Sequence, residues 1–177
     1  MASALFASQV RHHADPVEVS SAGTLARGDG MPTSVPEPVL EVMATYGIDL
    51  RGHESRALTA AMLEETDLVI GMSRRHVQEA ILLEPKCWPS AFMLKELVRR
   101  GEQVGPRDPT QAVDSWIGEV HGDRTRQSLA HRSTVDEVAD PYGGSLADYR
   151  STAEELAALV TTLVGLLWPK GDTRPSG

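Results

Sequence analysis

Cysteine is nearly absent: Cys87 stands alone among 177 residues. That excludes an internal disulfide framework and any cysteine-rich metal site, and it suits a reducing compartment. Basic charge is also short, with 17 Lys and Arg against 25 Asp and Glu and a formal net charge of −8. A nucleic-acid binder normally shows a basic face, so this balance argues against one. The pairs Arg74-Arg75 and Arg99-Arg100 are too short to make such a face and fit solvated helix surfaces. No apolar run approaches a membrane span. The longest, LAALVTTLVGLLW from Leu156 to Trp168, contains threonines and a glycine and reads as a core-packed helix. The N-terminal MASALFASQVRHH lacks a basic leader and spaces its apolar residues as an amphipathic helix does, so a cytoplasmic location is expected. Internal repeats are missing. So is histidine at ligand spacing: His12 and His13 are adjacent and point apart on a helix, and His76, His121 and His131 lack partners. Structural or surface roles follow for them, with no metal site.

What remains is ordinary for one soluble globular domain with its own core: 41% apolar and 24% charged residues. The apolar spacing predicts a helix from Met1 to about His13 and a short β-run over Val17 to Ser20, then a Gly/Pro-rich loop through LARGDGMPTSVPEP. Pro36 and Pro38 suit the first turn of the helix that follows, and Gly47 supplies its stop. A short helix begins near Thr59, and a buried strand runs from Leu68 to Met72. Ser73 is the expected N-cap of a helix ending before Pro85, and a third strand lies around Ala91 to Leu94. Residues from about 101 to 139 read as a polar insertion with helical pieces around Trp116 and Leu129. A final helix runs from near Ser145 to about Leu167, and residues 169–177 read as a disordered tail. Strands alternating with helices imply an α/β fold with a parallel sheet covered on both faces.

The stretch VADPYGGSLADYRSTAEEL, Val138 to Leu156, places an acid, a proline, a tyrosine and two glycines just ahead of the last helix. Taken alone, it is either an ordinary turn entering a helix or a proline-stiffened loop presenting the Asp140 carboxyl to a reaction centre.

The order of six pieces bears on that choice: MASALF, VSSAGT, GIDLRGHESRALT, TDLVIGMSRRH, FMLKEL and DPYGGSLADY. Together they resemble the low-molecular-weight protein tyrosine phosphatases, in register from Met1 to about Leu167. The resemblance implies a single domain over 1–168, a three-layer sandwich around a four-stranded parallel sheet. It implies hydrolysis of phosphotyrosine, on a protein or in a similar small phosphomonoester, without metal or organic cofactor. Asp140 then corresponds to the general acid that protonates the leaving oxygen and helps activate water against a phosphocysteine. Tyr142 corresponds to an aromatic lining the substrate cleft, with core or rim packing as the plain alternative. Ser21 and His53 match positions that support an asparagine in the catalytic loop, and Thr24 is structural.

That catalytic loop is a Cys-x-x-x-x-x-Arg segment. Its backbone N–H groups hold a phosphate dianion and lower the cysteine pKa, while its arginine clamps two phosphate oxygens. In relatives it ends in RSP ahead of a segment like MAEALF, and Met1 falls where that segment starts. The central first strand, the nucleophile and the arginine are therefore missing from these residues. Cys87 does not replace them, because the sixth residue after it is Met93 and it lies between two prolines in EPKCWPSAF. The expectation is that Met1 is an internal methionine of a longer natural protein and that the chain as it stands is inactive. A non-catalytic interaction domain, binding through the 101–139 segment, is the alternative. Thiol-coupled arsenate reduction ranks third, since it needs further cysteines for a disulfide relay.

Overall fold

The computed structural model describes residues 1–11, 13, 16–24, 34–127 and 134–169. The helical piece expected around Leu129, most of the Gly/Pro-rich loop, His12, His131 and residues 170–177 lie outside that set. The chain divides into two compact units, Met1–Leu58 with Ala139–Thr161, and Thr59–Val138 with Thr162–Gly177.

In the first unit, α1 (Ala2–Val10) buries Leu5 and Val10. Helix α2 (Glu37–Thr45) starts at Pro36 with Pro38 in its first turn, where a missing N–H costs nothing, and buries Val39, Val42 and Met43. The long helix α7 (Leu146–Leu167) begins in this unit and ends in the other. Its buried Tyr149, Ala153, Leu156 and Val160 recur at helical spacing. Gln9 Nε2 donates to Thr161 Oγ1 at 2.8 Å, and Arg150 pairs with Glu41 at 3.0 Å.

One expectation is corrected here. Val17 to Ser20 forms no strand; the segment is irregular, and the pairing near it is a single parallel bridge between Gly23 and Ala57. A strand exists only through a ladder to a neighbour, and among the described residues this segment has none.

The second unit holds the parallel pair β1 (Val69–Gly71) and β2 (Ala91–Met93), in register Val69 to Ala91, Ile70 to Phe92 and Gly71 to Met93. Parallel strands need a crossover, supplied by α4 (Arg74–Leu83) and a 3₁₀ turn over Pro85–Ser90. Helix α4 buries Val77 and Ala80, and all of β2 is buried. Thr59 caps α3 (Ala60–Glu64) by accepting from the Met62 N–H at 3.3 Å. Ser73 is the N-cap of α4, as expected, but its side chain makes no capping bond; the Glu137 carboxylate accepts from the Arg74 N–H instead, at 3.3 Å.

Helices α5 (Leu94–Val104) and α6 (Val113–His121) carry much of this unit's core, including part of the segment expected to be a polar insertion. Trp116, Ile117 and Val120 are buried, and Trp116 Nε1 donates to the Gly105 carbonyl at 2.9 Å. The indole comes so close to Gly101 that a Cβ there would stand 3.1 Å from its ring, with Leu166 at 3.0 Å. Arginines close two helix ends: Arg100 donates to the Val120 and His121 carbonyls, and Arg107 Nε to that of Leu167. Among the described residues, no helix is long and apolar enough to cross a membrane.

Arg124 is buried in this core. Its Nε lies 2.8 Å from Glu96 Oε1, its Nη2 donates to the Ala91 carbonyl at 2.7 Å, and its guanidinium carbon sits 3.9 Å from the Phe92 ring centre. Its Nη1 is 3.2 Å from His121 Nδ1. Burial, and next the charges of Arg124 and Arg100, push the His121 pKa below its ordinary 6.5. The folded protein therefore binds a proton at His121 less readily than the unfolded chain does. The stability this neutral ring contributes is complete above pH 6.5 and is lost as pH falls below it. Thermal midpoints measured from about pH 8 to about pH 5 are expected to fall on the acid side, and His121→Gln to flatten that fall.

Candidate active site

The loop ahead of α7 is built from local chemistry. Asp140 Oδ1 accepts a hydrogen bond from the Tyr142 N–H at 3.0 Å, the self-turn that aspartate favours. The Gly144 N–H donates to the Pro141 carbonyl at 2.8 Å, and Gly143 between them has φ +80°. This closes a four-residue turn whose third position demands glycine. Ser145 and Asp148 then form a reciprocal cap on α7: Asp148 Oδ2 accepts from both the N–H and the hydroxyl of Ser145 at 2.7 Å. These bonds, the hydroxyl's first and the backbone's second, hold the Asp148 carboxyl below its usual range. Tyr149, buried, anchors the first turn of the helix.

The result is an open depression of about 380 Å³ whose lining includes Asp140, Pro141, Tyr142, Asp148, Ser151 and Thr152. Asp140 is exposed on it. Tyr142 is 79% exposed, so core packing does not account for it. The loop is an ordinary turn, and that turn leaves the Asp140 carboxyl exposed to solvent.

Ser21 is half-buried, and its carbonyl accepts from Arg56 Nε at 3.0 Å beside the Gly23–Ala57 bridge. His53 is exposed in a turn closed by its own N–H on the Leu50 carbonyl at 3.0 Å. Among the described residues, no hydrogen bond joins Ser21 or His53 to each other or to Asp140.

The family model described as low molecular weight phosphotyrosine protein phosphatase matches residues 1–121. The chain belongs to that family. Its similarity extends to the protein-arginine-phosphatase of Bacillus subtilis (strain 168), 31% identical over 163 residues, which cover 92% of this chain and 84% of that one. Among solved structures, the YwlE arginine phosphatase with a phosphorylated active site serine superposes at a TM-score of 0.67 and 26% identity, covering 96% of this chain and 88% of that one. The low molecular weight protein tyrosine phosphatase of T. tengcongensis gives 0.65 and 27%, covering 94% and 88%.

In this member of the family, Cys87 is buried within the 3₁₀ turn. Burial first, and the Glu84 carboxylate second, push its thiol above the ordinary range, opposite to what a nucleophilic thiolate needs. Two residues that the motif order does not single out stand against ones it does or line the depression: Arg56 at the Ser21 carbonyl, and Asp148 beside the loop. Arg56 reaches Ser21 only through a bridge between distant segments, which no local pattern announces. Asp148 was legible, because Ser145-x-x-Asp148 is the capping-box spacing at the start of an apolar run.

Proposed function

We propose that this family member hydrolyses phosphotyrosine or a similar phosphomonoester, with Asp140 as its general acid and base, when a Cys-x-x-x-x-x-Arg loop completes the site. A thiolate from that loop attacks phosphorus, the P–O bond to the leaving group breaks, and Asp140 gives its proton to the departing oxygen. The Asp140 carboxylate then takes a proton from water as the water oxygen attacks phosphorus and the S–P bond breaks. The observation that carries this reading is the exposed Asp140 carboxyl, tied by the Tyr142 N–H and standing on a depression at the head of α7. Tyr142 lines the cleft, and Ser21 and His53 support the completing loop. The working unit is one phosphatase-like domain over 1–168, cytoplasmic and free of cofactor. The 177 residues contain no Cys-x-x-x-x-x-Arg segment, so by themselves they are inactive.

A second reading, phosphoarginine as substrate, is favoured by the likeness to the Bacillus subtilis protein-arginine-phosphatase. The lining of the depression agrees with it: among the described residues, Asp140 and Asp148 stand there without a basic residue and suit a guanidinium leaving group. In that case Asp140 protonates the departing nitrogen as the P–N bond breaks.

One experiment tests both. A strand and a Cys-x-x-x-x-x-Arg loop are joined ahead of Met1, and the product is assayed on phosphotyrosine and phosphoarginine peptides beside the unmodified chain. The unmodified chain is expected to release no phosphate and the completed one to release it, the preferred peptide deciding the substrate. Release from neither peptide overturns the enzymatic reading and favours the non-catalytic interaction domain.

A further inference from the structure

We propose, resting on the role given to Asp140, that Asp148 is its positioning residue: the Asp148 carboxylate holds the Pro141–Gly144 turn that aims Asp140 into the depression. The connection is continuous. Asp148 Oδ2 takes both hydrogen-bond donors of Ser145, at 2.7 Å each, which fixes the residue that leaves the turn. The same oxygen lies 2.9 Å from where a Gly144 Cβ would stand, with the Pro141 carbonyl at 3.0 Å from that point, so the carboxylate and the turn share the space that a side chain at Gly144 would fill. Gly144 closes the turn on Pro141, and Pro141 follows Asp140, whose Oδ1 is held by the Tyr142 N–H.

Helix α7 does not need Asp148 for its existence. It runs for 22 residues, and Tyr149, Ala153, Leu156, Val160 and Leu163 are buried along it. A cap adds stability at one end of such a helix, whereas its packed face decides whether it forms. Removing Asp148 is therefore expected to leave the helix folded and to release the loop. A purely structural role predicts a change in stability with the loop unchanged.

The Tyr142 amide reports the difference in the 177-residue chain itself. Because its N–H is bonded to the Asp140 carboxyl group, it is protected from exchange with solvent. In Asp148→Ala that protection is expected to be lost while the Trp116 side-chain signals stay in place. Asp148→Glu, which restores the usual capping-box acid, is expected to retain it. Gly144→Ala, which puts a methyl group against the carboxylate, is expected to lose it. Unchanged protection of the Tyr142 amide in Asp148→Ala overturns the proposal. Should that variant unfold, Ser145→Ala removes one of the two bonds: reduced protection supports the proposal and full protection overturns it. No hydrolysis is measured, so this result stands or falls apart from the enzymatic reading.

Discussion

Arg124→Ala is expected to destabilise the protein by about 3–5 kcal/mol, a large part of the roughly 5–15 kcal/mol typical of a folded domain. Arg124 and Glu96 are both buried, at 8% and 7% exposure, and they pair through two nitrogen–oxygen contacts of 2.8 and 3.3 Å. Truncating the arginine leaves a carboxylate in an apolar core without its counter-charge, and takes the Nη2 donor from the Ala91 carbonyl. It also empties the space between the Trp88 and Phe92 rings, which the guanidinium carbon approaches at 4.3 and 3.9 Å. Chemical denaturation measures the loss. Arg124→Met combined with Glu96→Leu is expected to recover most of it, because replacing a buried ion pair by apolar residues of similar size is often neutral or stabilising. If both variants are equally unstable, packing rather than the unpaired charge accounts for the effect.

Elements that announce themselves through local periodicity were legible. Helix α7 could be read from its apolar spacing and from the Ser145 start, and its observed bounds, Leu146–Leu167, lie within a residue of the expectation. The segments around β1 and β2 were legible as short apolar runs, with the structure trimming the first to Val69–Gly71. Val17 to Ser20 misled for a physical reason: β-branched composition favours extended backbone, but a ladder depends on a partner that composition does not specify. In the 101–139 segment the helical piece expected around Trp116 is α6. The polar average of the segment gave no sign that this helix buries Trp116, Ile117 and Val120, or that an arginine at 124 would be buried on Phe92. At the candidate site, the order of motifs named Asp140 and Tyr142, and both line one depression. Arg56 needed the bridge register, which joins residues far apart in the chain.

Asp140→Asn in the loop-completed protein is expected to lower kcat/KM for phosphotyrosine by roughly 10²–10⁴-fold. An amide cannot deliver the proton, so the tyrosyl oxygen, with an ordinary pKa of about 10, must leave as the bare anion. The substituted side chain keeps a carbonyl oxygen that can accept from the Tyr142 N–H, so the turn is expected to survive and the loss to be chemical rather than structural. An aryl phosphate with a more acidic leaving group depends less on that proton and is expected to lose proportionately less. Comparing the two substrates in wild type and Asp140→Asn is the most direct test: a large loss on phosphotyrosine with a much smaller one on the activated ester is the expected result. Equal losses on both substrates, or no loss on either, would contradict the assignment of Asp140 as the proton donor.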